Sequence, residues 1–344
     1  MKLIIPDNYF PMLNKTKTVE AVQLILDFFG SKLSKSLKLQ KIVAPLLMSV
    51  KSGVSENYHG VFPAVTFEIN DADNENFEII RSVTKWKRQF LADLNFEAGM
   101  GIFAEVEGVR PDEELSNVHS VQVDQWDWEL VISENQYNIG FLKSIVEKIY
   151  AVIKESEHFV SKKFPEIKPV LPGKITFLHA ENLAKEFPQL TPRERESKMA
   201  EKYGAIFIVG IGGRLSTGEV HGKRPSDGDN WISVSEEGMR GLNGDLIVWN
   251  PVLKQPLELS SMGLRVDKKS FLEQAEILNC LDLMKLPWQQ KLLNNEFPLT
   301  IGGGIGISRT CMFLLRKAHI GEVQPGVWPV EMINDCKVNN INLL

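Results

Sequence analysis

The stretch Ser120–Ile132, SVQVDQWDWELVI, alternates polar and bulky residues, and a period of two belongs to an extended strand with two unlike faces. Gln125, Asp127 and Glu129 share one face; Asp124, Trp126 and Trp128 share the other. If the tryptophans enter a core, the polar trio lines a cleft; if the trio faces water, this is an ordinary half-exposed strand. The alternation alone leaves both open. A strand with one buried face needs partners, and the chain offers Gly101 to Arg110, Ala205 to Val209 and a hairpin from Asp245 to Ser261. Most connections are too short for parallel crossovers, so the expected fold class is α+β, an antiparallel sheet flanked by helices.

The flanking helices are legible by their spacing. Val19, Val22, Ile25, Leu26, Phe29 and Leu33 fit one amphipathic helix, and Leu142, Ile145, Val146, Ile149 and Val152 fit a second from Ile139 to Phe159. A third opens at Thr191-Pro192-Arg193-Glu194, where a capping box meets proline at the first helical position. Between the first helix and the sheet, LKLQKIVAPLL reads as a short strand. Its Pro45 cannot donate a ladder hydrogen bond, which places this strand at an edge or interface. With 344 residues, 43% of them hydrophobic, there is ample material for a core. Repeats, low-complexity tracts and linkers are absent from the sequence, so residues 1–344 read as a single catalytic domain. A net charge of -5 argues against a broad basic face for nucleic acid. Cys280, Cys311 and Cys336 are odd in number and widely spaced, which suits a reducing cytoplasm. Neither a leader peptide nor an apolar run of membrane-spanning length is legible, so no membrane partner is expected.

TIGGGIGISR, Thr300 to Arg309, carries four glycines in five positions, yet it fits neither familiar glycine motif. G-x-G-x-x-G read from Gly302 meets Ile307 at the third glycine, and read from Gly304 it meets Arg309. The Gly-Lys pairs at Gly173 and Gly222 are followed by Ile175 and Arg224 rather than the Ser or Thr of a P-loop. What remains is a strand stripped of side chains and then a helix with Arg309 in its first turn, where unpaired N–H groups and a guanidinium would together hold an anion. Arg110 stands at the mouth of the long hairpin into the Gln125 strand, placed to grip a carboxylate or phosphate. A hairpin centred on Pro251 and Val252 would set Asp245 opposite Glu258, two carboxylates able to share a divalent cation. Arg265 follows shortly after. Lys85, Lys87 and Arg88 form a basic group that reads as the exposed side of a helix start. The six histidines lack metal-ligand spacing, and G-x-S-x-G does not occur.

A helix and strand ending in Pro45, a strand-loop-strand with Arg110, and a glycine-rich strand leading to Arg309 occur in an order that resembles the three motifs of class II aminoacyl-tRNA synthetases. Within that superfamily, KWKRQ (Lys85 to Gln89), RPDE (Arg110 to Glu113), HSVQVDQWDWE (His119 to Glu129), GLNGDLIVWNPVL (Gly241 to Leu253), LELSSMGLRVD (Leu257 to Asp267) and TIGGGIGISR are similar to the ammonia-dependent asparagine synthetases, the aspartate–ammonia ligases. The similarity runs from about Leu37 onward. It implies a cytoplasmic homodimer, joined through the helix and strand of residues 1–50, that converts ATP, L-aspartate and ammonia to asparagine, AMP and pyrophosphate through a β-aspartyl-adenylate, with magnesium. By position, Arg110 and Arg309 match arginines that hold the triphosphate and the activated carboxylate. Asp245 and Glu258 match acidic positions that accompany magnesium and ATP, and Gly304 and Gly306 belong to the nucleotide-binding strand. Lys87, Gln125, Asp127, Asp229, Ser261 and Arg265 match the aspartate pocket. Glu56 matches an aspartate of the family and is the candidate acceptor for the ammonium proton. Two segments depart from the family pattern: Glu56-Asn57-Tyr58 stands for Asp-Asn-Leu, and Gly228-Asp229-Asn230-Trp231 stands for Tyr-Asp-Asp-Trp.

A relative of aspartyl- or asparaginyl-tRNA synthetase is the first competing reading, opposed by the negative charge and by the lack of an anticodon-binding domain. The second is a silent paralogue that binds nucleotide and regulates a partner, opposed by the matching Arg110, Arg309, Asp245 and Glu258. Free ammonia is expected as nitrogen donor, because a glutamine amidase needs a reactive cysteine near the N-terminus, whereas residue 2 is Lys2 and the first cysteine is Cys280.

Overall fold

The computed structural model describes residues 3–54, 64–72, 75–236 and 238–344. Helix α1, Lys15–Leu37, is capped by Asn14, whose side chain accepts from Lys17 N at 3.0 Å. It turns Ala21, Ile25, Phe29 and Leu33 inward at four-residue spacing, each aliphatic or aromatic side chain contributing roughly 1.5–3 kcal/mol. Strand β1 (Leu39–Lys41) follows and pairs in parallel with the edge of the main sheet. Pro45 lies between β1 and β2 (Leu47–Ser49), in neither strand; β2 joins β3 (Thr66–Glu68) and β4 (Asn76–Ile79) in a small separate sheet.

Helix α2 (Thr84–Asp93) leads to the hairpin β5 (Gly101–Val109) and β6 (Gln122–Val131), then to α3 (Ile139–Lys163). Strand β7 (Thr176–His179) is followed by α4 (Ala180–Glu186) and α5 (Pro192–Tyr203), the latter with the Thr191/Glu194 capping box and proline at its start. These two helices form the crossover to β8 (Ala205–Val209), which runs parallel to β7. The hairpin β9 (Asn243–Asn250) and β10 (Gln255–Leu264) precedes α6 (Lys268–Ile277) and α7 (Pro287–Leu293). Strand β11 (Thr300–Gly306) runs directly into α8 (Ile307–Leu314), and α9 (Val330–Val338) lies near the end of the chain.

The main sheet has the order β1-β5-β6-β11-β10-β9-β8-β7, antiparallel except at its two margins. Its two faces differ. One carries the main core, where Trp126, Trp128, Ile301, Ile305, Met262 and Leu246 meet α1, α3 and α8; Trp126 stacks on Phe29 with centroids 4.0 Å apart. On the other face, apolar clusters cover only the flanks: Ala104 and Val106 with α6 and α7 on one side, Ile206, Ile208 and Ile247 with α4 and α5 on the other. The central strands β6, β11 and β10 are left for a polar cleft. The alternation of β6 is thereby resolved, with the tryptophans in the core and Gln125, Asp127 and Glu129 toward the cleft.

The hairpin register differs from the sequence expectation. Asp245 lies opposite Ser261, and Glu258 opposite Ile247. The turn is 251–254, with the Asn250 side chain accepting from Val252 N and Leu253 N and Lys254 in the left-handed region at φ 51, so it sits one residue later than a turn centred on Pro251 and Val252. A bulge at Leu259 then restores the facing, since one extra residue reverses the alternation. Glu258, Ser261 and Arg265 consequently line one cavity despite their unequal parity.

Candidate active site

The cleft encloses about 350 Å³. Two ends can be told apart along β10 and the residue that follows it, since Glu258 and Arg265 are seven residues, or roughly 20 Å, apart.

At one end two arginines stand among carboxylates that they meet only at 3.9 Å. Arg309, in the first turn of α8, donates through Nε to Val118 O (3.2 Å) and through Nη1 to Glu258 O (3.2 Å), its Nη1 lying 3.9 Å from Glu258 Oε1. Arg110, just past β5, has Glu113 at 3.9 Å and remains partly open to the cavity. His119 stands beside them, Nδ1 2.8 Å from Ser116 Oγ; burial and then the charges of Arg309, Arg193 and Arg110 push its pKa down to about 4. It is therefore a neutral donor or acceptor at pH 7. Asp124 accepts from Ser308 N (3.0 Å) and Ser308 Oγ, fixing the start of α8; burial raises its pKa against those hydrogen bonds.

At the other end, charges alternate. Asp229 pairs with Arg265, Arg265 with Glu129 (Nη2 to Oε2 2.9 Å), Glu129 with Lys87 (3.5 Å), and Lys87 with Asp127. Burial would push Glu129 upward, but Arg265 and then Lys87 outweigh it and hold the carboxyl below the ordinary range. Lys85, Lys87 and Arg88 are thus buried, contrary to their reading as an exposed helix face. α2 packs on the cleft side of β6, and their charges meet Asp127, Glu129, Asp227 and backbone carbonyls rather than water. Lys87 does not itself reach the cavity surface; it stands behind Asp127.

The glycines of β11 explain how this ladder fits. Gly302, Gly304 and Gly306 lie opposite Glu129, Asp127 and Gln125, so three successive cleft-facing positions carry no side chain. A Cβ at Gly302 would stand 2.5 Å from Glu129 Cδ and 2.6 Å from Arg265 Nη2, and one at Gly304 would stand 2.7 Å from Gln125 Oε1. The bare strand is a bed for neighbouring side chains first; Gly303, Gly304 and Gly306 also border the cavity.

Between the two ends lies Arg224, which sequence reasoning missed. Its Nη2 donates to Asp245 and to Ser261 Oγ (3.0 Å); burial pulls its pKa down, but the carboxylates of Asp245, Asp229 and Glu258 outweigh it and hold the pKa up. An arginine in a loop, between Lys223 and Pro225, carries no periodicity that would mark it. Asp245 is buried behind Arg224 and off the cavity surface, whereas Glu258 is on it. Glu258 is open to a magnesium ion, which takes one or two carboxylates and completes its shell with phosphate and water, whereas Asp245 would join it only by releasing Arg224. Among the described residues there is no cluster of three or more His, Cys, Asp or Glu for an all-protein site. Of the expected residues, Arg110, Gln125, Asp127, Asp229, Glu258, Ser261, Arg265, Gly304, Gly306 and Arg309 converge on this one cavity. Glu56 lies outside the described residues. The Asn230 departure faces away: its side chain bonds Tyr137 Oη (2.8 Å), Ser233 Oγ (2.9 Å) and Ser233 N (3.0 Å), while Gly228 borders the cavity.

An antiparallel sheet whose glycine strand feeds an arginine-bearing helix is the architecture of class II aminoacyl-tRNA synthetases, and the solved structures agree. The chain resembles asparaginyl-tRNA synthetase from Pyrococcus horikoshii complexed with asparaginyl-adenylate (TM-score 0.65, 11% identity, 91% of this chain and 70% of that one). It also resembles the Entamoeba histolytica asparaginyl-tRNA synthetase (TM-score 0.62, 14% identity), covering 90% of this chain and 66% of that one, just under two thirds. At these identities the likeness concerns the fold. Sequence goes further: the family model described as aspartate-ammonia ligase matches residues 16–340. Proteins named aspartate–ammonia ligase from Parabacteroides distasonis (46% identity, 99% of both chains) and Clostridium perfringens (43%, 100% of this chain and 99% of that one) align end to end. The chain belongs to the aspartate–ammonia ligase family of enzymes.

Proposed function

We propose that this enzyme activates L-aspartate with ATP as β-aspartyl-adenylate, releasing pyrophosphate, and that ammonia then displaces AMP to give asparagine. The observation that carries the reading is the division of one cavity: at the α8 end Arg110 and Arg309 face it with carboxylates only at 3.9 Å, whereas the Arg265 end holds a closely paired ladder of alternating charges. Arg110 and Arg309 suit a triphosphate. The Asp229–Arg265–Glu129–Lys87–Asp127 ladder, with Gln125, suits the ammonium and α-carboxylate of an amino acid. Arg224 and Ser261 stand between, where a side-chain carboxylate would meet the α-phosphate. Attack of one anion on another is slow chiefly through repulsion, so fixed guanidinium charge and alignment supply the acceleration. Bound at Glu258 and Asp245, magnesium would neutralise phosphate charge. Glu56 is proposed as acceptor of the ammonium proton on the strength of the family match.

Free ammonia is the proposed nitrogen source. All three cysteines are buried, and burial raises each thiol, Cys336 to about 11, which suits structural roles rather than attack on a glutamine amide. A cytoplasmic homodimer is proposed as well: three free cysteines suit a reducing compartment, and Phe10 and Met12 before α1, Val19 on it, and Val43 and Leu46 beside Pro45 stand exposed. Sedimentation showing only a species near 38.9 kDa at micromolar concentration contradicts the dimer.

The deciding experiment incubates the purified chain with ATP, magnesium, aspartate and ammonium. Asparagine, AMP and pyrophosphate should form in equal amounts, and aspartate should drive exchange of pyrophosphate into ATP without ammonium. Release of ADP and phosphate instead would replace the adenylate by an acyl phosphate.

A further inference from the structure

The segment 226–231 forms one wall of the amino-acid end, with Gly228 and Asp229 on the cavity surface. What shapes this wall stands behind it, in side chains off the cavity and outside the reaction described above. Gln274, wholly buried on α6, uses its entire carboxamide on the segment: Nε2 donates to Ser226 O (2.8 Å) and Asp229 O (3.1 Å), while Oε1 accepts from Trp231 N (2.8 Å). Two carbonyls three residues apart can share one NH2 group only if the chain between them closes into an arc. The far side of that arc is tied to the β10 end, through Val266 N to Gly228 O (3.0 Å) and Asn230 N to Leu264 O (2.8 Å). Asp227, in the middle of the arc, turns its carboxylate away from the cavity. Its Oδ2 accepts from Lys85 Nζ (2.9 Å) and Gln289 Nε2 (2.7 Å), all three side chains being buried.

We propose that Gln274 and Asp227 are positioning residues for the amino-acid substrate: from behind, they set the arc of 226–231 so that Asp229 meets Arg265 and closes the charge ladder. The inference rests on the reading of that end as the aspartate site. A buried carboxylate and a carboxamide with every bond satisfied hold one backbone geometry, because any other leaves them unpaired in a dry environment. The effect is local. Arg110, just past β5, and Arg309, in α8, take no part in the hydrogen bonds that hold the arc, so KM for ATP should change far less than KM for aspartate.

The test compares Gln274→Met and Asp227→Asn with the parent enzyme. Both variants should raise KM for aspartate about tenfold, leave KM for ATP within twofold and kcat within about threefold, and speed amide hydrogen exchange in the 225–231 peptide. A residue serving stability alone would lower the melting temperature without separating the two KM values. Unchanged KM for aspartate, or equal rises in both KM values, would overturn the proposal. If Gln274→Met does not fold, Asp227→Asn, which keeps side-chain shape and removes one charge, decides by the same comparison. If the parent makes no asparagine, the proposed function fails instead, and the claim about the arc is then judged by exchange alone: unchanged protection of 225–231 in the folded variants overturns it.

Discussion

Adding one methyl group at Gly302 and at Gly304 should have opposite consequences, although the two glycines are two residues apart on one strand face. At Gly302 the new carbon falls 2.5 Å from Glu129 Cδ and 2.6 Å from Arg265 Nη2. Neither group can retreat, since Glu129 is wholly buried and is bonded by Arg265 Nε as well (3.1 Å). Overpacking costs about 1–3 kcal/mol, and a severed buried ion pair about 3–5 kcal/mol. A pair displaced rather than severed puts Gly302→Ala at about 3 kcal/mol. Unfolding entropy of about 2.1 cal/mol/K per residue gives about 0.7 kcal/mol/K for 344 residues, so the melting temperature should fall by about 4 °C. At Gly304 the nearest atoms are the end of the Gln125 side chain, 2.7 Å away on the cavity wall and free to swing. Gly304→Ala should cost less than about 1 kcal/mol of stability, yet raise KM for aspartate about tenfold, equivalent to about 1.4 kcal/mol. Melting at one fixed scan rate, with KM measured on the same preparations, separates the two. The reasoning fails if Gly302→Ala melts with the parent, or if Gly304→Ala proves the less stable variant.

Arg309→Ala should reduce aspartate-dependent pyrophosphate exchange by about 10²–10³-fold with a melting temperature within about 2 °C of the parent, because the side chain bonds two carbonyls and meets the partly exposed Glu258 carboxylate only at 3.9 Å; near-normal exchange rejects the assignment. His119 and His319 both sit near 4 in the folded chain, against about 6.5 for a free histidine. The unfolded chain therefore binds up to two more protons between about pH 6.5 and 4, and stability falls as pH drops through that window, by about 1.4 kcal/mol per proton per pH unit. His319→Gln should flatten the slope by about one proton in urea titrations at successive pH values, and an unchanged slope refutes that origin. Changing all three cysteines to Ala or Ser should leave ammonium-dependent turnover largely in place, while glutamine freed of ammonium yields no asparagine; substantial product from glutamine alone reverses the choice of nitrogen donor.

Local periodicity and local chemistry were enough to determine much of this protein. The stripe of α1, the capping box of α5, the two faces of β6 and the helix start at Arg309 each depend on residues a few positions apart, and such relations survive in a linear text. Family strings then located Arg110, Gln125, Asp127, Asp229, Arg265 and Arg309, which the fold gathers into one cavity. What only tertiary structure decided depends on distant partners. Lys85, Lys87 and Arg88 look like a solvated helix face until Asp227, Asp127, Glu129 and the carbonyl of Val266 arrive from other strands and loops to neutralise them. Asp245 and Glu258 could be placed on one hairpin but not in register, because a one-residue shift of the turn and a bulge at Leu259 leave no mark in the composition. Arg224, an unremarkable loop arginine in sequence, becomes central only when Asp245 and Ser261 face it across the cleft. The glycines of β11 were legible as a missing surface; what fills the space above them, Glu129, Arg265 and Gln125, comes from two neighbouring strands, and strand pairing is a long-range choice that no short stretch records.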